Sequence, residues 1–94
     1  ISVDAATPET YRRLRGWDFF RLLANIRKFV DALSPRKFPT SIGLSFVITR
    51  SNVLEMVPFI YMGKALGVNS LQFLRLNEYE LQNWVITAKD GQPF

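Results

Sequence analysis

Residues 42–49 read Ile-Gly-Leu-Ser-Phe-Val-Ile-Thr, with Ile42, Leu44, Phe46 and Ile48 alternating against Gly43, Ser45, Val47 and Thr49. A period of two puts each set on its own face of an extended chain, and so apolar a stretch predicts a well-buried strand. Downstream, Asn52 followed three residues later by Glu55 has the spacing of a capping box. Val57, Ile60, Tyr61, Lys64 and Ala65 then continue a helix toward Gly67, which is placed to end it. Pro58 offers a second start, as a first-turn residue with 52–57 forming a tighter lead-in turn. Ser70 to Leu76 (SLQFLRL) reads as the next strand.

Upstream, Ser34, Pro35, Pro39 and Thr40 mark a loop. Before it, Phe19, Leu22, Leu23, Ile26, Phe29, Val30 and Leu33 recur at three- and four-residue spacing, the pattern of an amphipathic helix with one buried face. Thr7, Pro8 and Glu9 form a helix start: a hydroxyl cap, a proline that sacrifices no needed N–H, and an acid at the positive end. That helix runs to about Leu14 and Gly16 ends it. Ile1-Ser2-Val3-Asp4 alternates like the tail of a strand already under way.

Strands separated by helices pair in parallel through right-handed crossovers, so the fold class is α/β, a βαβαβ parallel-sheet unit over 1–76. Residues 77–94 follow as a C-terminal tail, with an apolar cluster at Leu81, Trp84, Val85 and Ile86 and a turn at Asp90-Gly91. Parallel sheets have both faces covered, and these helices supply cover for only one. The chain therefore reads as a piece of a larger protein.

Composition narrows the chemistry. With 48% hydrophobic and 21% charged residues the chain is globular rather than disordered. Cysteine and histidine are both absent, which excludes disulfides, thiolate or imidazole catalysis, and nearly all zinc or iron–sulfur ligation by this chain. The net charge of +4 is spread over short clusters: Arg12, Arg13 and Arg15; Arg27 and Lys28; Arg36 and Lys37. Solvated helix faces account for these, and no groove-reading helix or aromatic-basic strand supports nucleic-acid binding. No apolar run reaches the roughly 20 residues of a membrane span, and the N-terminus has no secretory pattern. The expected location is the cytoplasm.

The opening ISVDAATPETYRRLRG (1–16) resembles the fourth-strand segment of radical S-adenosylmethionine (radical SAM) enzymes, where a Ser-hydrophobic-Asp strand end precedes a Thr-Pro-Glu-Thr-Tyr helix and a Leu-Arg-Gly. Phe20 to Leu33 is similar to the helix that follows in that family. Ser45 to Leu76 resembles its fifth strand, helix and sixth strand. The resemblance implies the C-terminal part of a partial, TIM-like (β/α)6 barrel. In the parent enzyme it implies S-adenosylmethionine and a 4Fe-4S cluster on three cysteines. Those cysteines belong upstream of Ile1, so no cofactor is expected on this chain alone.

Residue by residue, the resemblance places Ser2 at a position that contacts S-adenosylmethionine; the alternative is a strand-end cap. Asp4 either accepts hydrogen bonds from the following turn or orients Ser2. Arg15 matches an arginine able to pair with the ligand's methionyl carboxylate, the alternative being a surface ion pair with Glu9 or Asp18. Asn52 either caps the helix together with Glu55 or meets the ribose. Trp17, Trp84 and Phe94 read as core or contact residues.

Two functions from different classes follow. The first is a segment of a radical SAM iron–sulfur oxidoreductase that contributes ligand-binding walls and is inactive by itself, with no catalytic or metal-ligating residue of its own. The second is a self-standing, non-catalytic α/β binding or interaction module. The expected partner is the remainder of the parent barrel. For the isolated chain, a homo-oligomer is expected through the sheet edge at Ile1 or at Leu71, or through the former barrel interior.

Overall fold

A computed structural model describes residues 1–33, 41–76 and 81–87. Helix α1 (Pro8–Arg15) is followed by α2 (Phe19–Leu33), strand β1 (Gly43–Val47), a short 3₁₀ turn (Val53–Glu55), α3 (Met56–Leu66), and strands β2 (Ser70–Leu76) and β3 (Leu81–Thr87). The expected loop at 34–40, including Arg36 and Lys37, and the expected turn at Asp90-Gly91 lie outside the described residues, as does Phe94.

The local signals act as their chemistry dictates. Thr7 caps α1 by accepting from the Thr10 amide, and Pro8 occupies the first turn. Gly16 and Gly67 end α1 and α3 with φ of 72° and 80°, a left-handed geometry that glycine adopts without a Cβ clash. Pro58 falls in the first turn of α3, where its missing N–H costs no helical bond.

β1 and β2 pair in parallel, with Gly43 opposite Ser70 and Val47 opposite Leu74. The opening segment lies parallel to β1 on its other side: Ser45 donates to the Ile1 carbonyl at 2.7 Å and Val3 donates to Ser45 at 2.9 Å. The described sheet is thus mixed α/β with parallel strands at its centre, as the hydrophobic pattern implies. One expectation is corrected at the far edge. The stretch 81–87 of the tail is a strand, antiparallel to β2 with Ser70 opposite Thr87, so β2 is internal and the edge at Leu71 is covered.

One face of the sheet carries the helices. Leu44, Phe46, Leu71 and Phe73 pack against Phe59 of α3 and join Val3, Ala5, Tyr11, Phe19 and Ile26 in a single core. Gly63 permits the close approach of α3, since a Cβ there would lie 2.6 Å from a Leu71 methyl. Phe29 of α2 points outward despite its place in the apolar pattern, and Trp17 and Trp84 are 44% and 49% exposed, so neither tryptophan is a core residue. No helix among the described residues is long and apolar enough to cross a membrane.

Candidate functional site

The opening segment leaves the sheet at Asp4, whose φ of 63° is left-handed, an uncommon conformation that aspartate tolerates better than most residues. A parallel ladder in which Ser45 donates to Ile1 would next have Val47 donate to the Val3 carbonyl. The chain has turned away there, and the Asp4 carboxylate takes that role: the Val47 amide donates to Oδ1 at 2.7 Å. The second oxygen, Oδ2, pairs with Arg15 Nη2 at 2.6 Å. Asp4 therefore serves β1 and the end of α1, rather than the turn that follows it or Ser2. The partner of Arg15 is Asp4, not Glu9 or Asp18.

Asn52 completes this network from beneath. Its side chain is 1% exposed. Nδ2 donates to the carbonyls of Asp4 (2.9 Å) and Val47 (2.8 Å), and Oδ1 accepts from the Thr49 amide at 2.7 Å. The capping-box reading of Asn52 and Glu55 is thereby corrected: neither side chain makes a capping bond to the 3₁₀ turn or to α3. Glu55 reaches across to the start of α1. Its carboxylate accepts from the Ala6 amide at 2.8 Å, from Thr7 Oγ1 at 3.0 Å, and from Thr10 Oγ1. The tertiary partners win because the Asn52 side chain is already engaged by Asp4, Val47 and Thr49, while the Glu55 carboxylate satisfies an amide and two hydroxyls where the chain enters α1.

Burial pushes the Glu55 carboxyl upward, but the hydrogen bonds from Thr10, Ala6 and Thr7 outweigh it and hold the group below its ordinary value. A carboxylate whose pKa falls on folding adds stability above its unfolded pKa, and that stability is lost as pH falls through the folded pKa. Glu55→Gln is expected to cost about 1–2 kcal/mol at pH 7, where charged hydrogen bonds are lost. The cost should shrink in acid, at pH values below the ordinary glutamate range, where the wild-type carboxyl is itself protonated. Urea denaturation at both pH values measures it, and an equal cost at the two would show that the carboxylate charge has no part.

Ser2 stands apart from this network. Its backbone bridges to Ser45, and its Oγ accepts from Ser45 Oγ at 3.2 Å on the face of the sheet that carries no helix among the described residues. Gln72, opposite Ser45 in β2, lies on that same open face and bonds Asn83 of β3 at 3.1 Å. Of the four residues singled out in the sequence, Asp4, Arg15 and Asn52 thus come together as a brace, and Ser2 alone faces the open side.

A cleft of about 560 Å³ opens on the helix side, where β1 ends. Ile48, Val53 and Met56 form its apolar floor, with Thr49, Arg50, Arg75 and the indole of Trp84 around it. In the sequence both arginines stand outside the basic clusters. Their signal was position: each stands at or just beyond the end of a strand pattern, where side chains of parallel sheets meet ligands. Among the described residues no group of three or more His, Cys, Asp or Glu side chains converges.

Fold and site together define a class: an α/β unit of parallel strands, helices on one face, with a polar brace where the opening strand turns into its helix. Compared with known proteins, the chain is 33% identical over 79 residues to a probable GTP 3',8-cyclase of Saccharolobus islandicus, in strains L.S.2.15 and M.14.25 alike. The match takes in 82% of this chain and 24% of the relative, so the chain spans about a quarter of the length of the curated relatives it matches. No family model and no solved structure matches it.

Proposed function

We propose that this chain is a wall segment of a radical SAM iron–sulfur oxidoreductase, with its helix-free sheet face lining the ligand chamber and with no chemistry of its own in isolation. The observation that carries the reading is the open face. Parallel strands bury one side under helices, while Ser2, Ser45 and Gln72 leave hydroxyl and amide groups on the other, as the wall of a barrel enclosing a polar ligand requires. The likeness to probable GTP 3',8-cyclase, a radical SAM enzyme, supports the same assignment.

The chain has neither cysteine nor histidine and gathers no carboxylate cluster among its described residues, so its own groups do not fit an iron–sulfur cluster. For S-adenosylmethionine the fit is partial. Ser2 presents a hydroxyl to the open side, whereas Asn52 is fully engaged with backbone and Arg15 already holds Asp4. In this reading Asp4, Arg15 and Asn52 act by fixing where the strand end stands.

Ser2→Ala in the complete parent is expected to weaken S-adenosylmethionine binding roughly 2- to 10-fold, the worth of one hydrogen bond. Calorimetry measures it, and an unchanged affinity removes Ser2 from the ligand contact. The family assignment has its own test in the reading frame upstream of Ile1. Three cysteines spaced Cys-x3-Cys-x2-Cys are expected there, and their absence would sink it.

A further inference from the structure

Among the described residues, the outer strand of the sheet carries none of the charges or prolines that keep an edge from pairing. β3 reads Leu-Gln-Asn-Trp-Val-Ile-Thr, with no charged residue and no proline, whereas exposed edges are ordinarily blunted by lysine, proline, bulges or inward-pointing charges. Among the described residues β2 is its sole neighbour.

The ladder determines which of its backbone groups are available. Ile48 donates to the Leu74 carbonyl at 2.8 Å, so in β2 the even-numbered residues turn their peptide groups toward β1. Alternation then turns those of Leu71, Phe73 and Arg75 toward β3, where their partners are Ile86, Trp84 and Gln82. The N–H and C=O groups of Leu81, Asn83, Val85 and Thr87 consequently point away from the sheet.

We propose that this edge pairs with β3 of a second copy, antiparallel about a two-fold axis through Trp84. That register sets Asn83 opposite the partner subunit's Val85, and Leu81 opposite the partner subunit's Thr87, so every outward-pointing residue finds a partner. A shift of one residue turns outward groups against inward ones, and a shift of two strands at least one residue on each copy. Because the strand carries no charge, the two-fold sets no like charges against each other. It also covers exposed apolar surface on both faces: Trp84, 49% exposed, on the helix side, and Val85, 57% exposed, on the open side. Two strands of this length bury less than the roughly 1,200–2,000 Å² of a stable interface, so the dimer is weak and concentration-dependent. The pairing rests on β3 alone and not on the family assignment.

Light scattering of the full chain should give a mass rising from 10.9 kDa toward twice that value between low and high micromolar concentration. Asn83→Lys with Val85→Lys places like charges opposite each other and should hold the mass at a single chain, with the far-UV circular dichroism unchanged. Asn83→Lys with Val85→Glu places opposite charges there and should retain the dimer. The register has a second readout because the chain has no cysteine. Trp84→Cys should cross-link to its own copy under mild oxidation, since non-hydrogen-bonded pairs bring Cα atoms to about 4.5 Å. Thr87→Cys should not, its two copies being about 20 Å apart along the strands. A wild-type mass that stays at one chain, charge variants that behave alike, or equal cross-linking at the two cysteine positions would each overturn the proposal.

Discussion

Replacing Phe46 with alanine is expected to cost about 3–5 kcal/mol, the range for deleting a fully buried aromatic side chain. Phe46 is fully buried at the centre of a three-ring cluster, 4.9 Å from Phe59 and 5.5 Å from Phe73 between centroids, with Phe59 and Phe73 5.7 Å apart. The substitution removes transfer free energy, opens a cavity between β1, β2 and α3, and abolishes two aromatic pairs that add about 0.5–1.5 kcal/mol each beyond their buried area. A domain of this size holds on the order of 5–14 kcal/mol in total. The melting temperature should accordingly fall by roughly 15–30 °C. Thermal melts followed by circular dichroism decide it, with Phe46→Leu as the milder control at about 1–2 kcal/mol. A fall below about 5 °C for the alanine variant would mean that the three rings are not the centre of the core.

The second large effect is expected at Asn52. Asn52→Ala leaves the Thr49 amide and the carbonyls of Asp4 and Val47 without their partner in a buried setting. Each unpaired group costs about 1–3 kcal/mol, reduced where water enters, for a total of about 3–4 kcal/mol. Asn52→Asp separates hydrogen bonding from packing. It keeps the shape and the acceptor for Thr49 but sets carboxyl oxygens against two carbonyls, so it should be at least as damaging as alanine at neutral pH. Chemical denaturation of both variants supplies the comparison. An aspartate variant as stable as wild type would show that the amide's two donor bonds contribute little. Because Asn52 joins the end of the opening strand to the end of β1, hydrogen exchange should also quicken at Val47 and Thr49 before the rest of β1.

How far the site was legible follows the sequence distance of each contact. Thr7 and Thr10, three residues apart, could be paired as cap and capped amide from the chain alone, and Gly16 and Gly67 announced their helix ends. Asp4 and Arg15 were both singled out by the resemblance, yet their bond to each other depends on α1 folding back over the strand end. For Glu55 the local partner, Asn52, is the one visible in sequence. Its actual donors lie 45 to 49 residues away. β3 is hard to read from sequence for a different reason. Trp84, Val85 and Ile86 form an unbroken apolar run without a period of two, and the connection Asn77-Glu78-Tyr79-Glu80 has neither glycine nor proline to mark a hairpin.

By itself the sequence determined the α/β class, the placement of the helices and of the two parallel strands, and the absence of any thiol or imidazole chemistry. Periodicity, caps and composition are local quantities, and these properties follow from them. Only the tertiary structure decided that Asn52 and Glu55 brace other elements instead of capping their own helix, that Ser2 faces the open side, and that β3 closes the edge of β2. Each of those outcomes is a competition among hydrogen-bond partners distant in the chain, and it is settled by which buried donors and acceptors would otherwise remain unpaired.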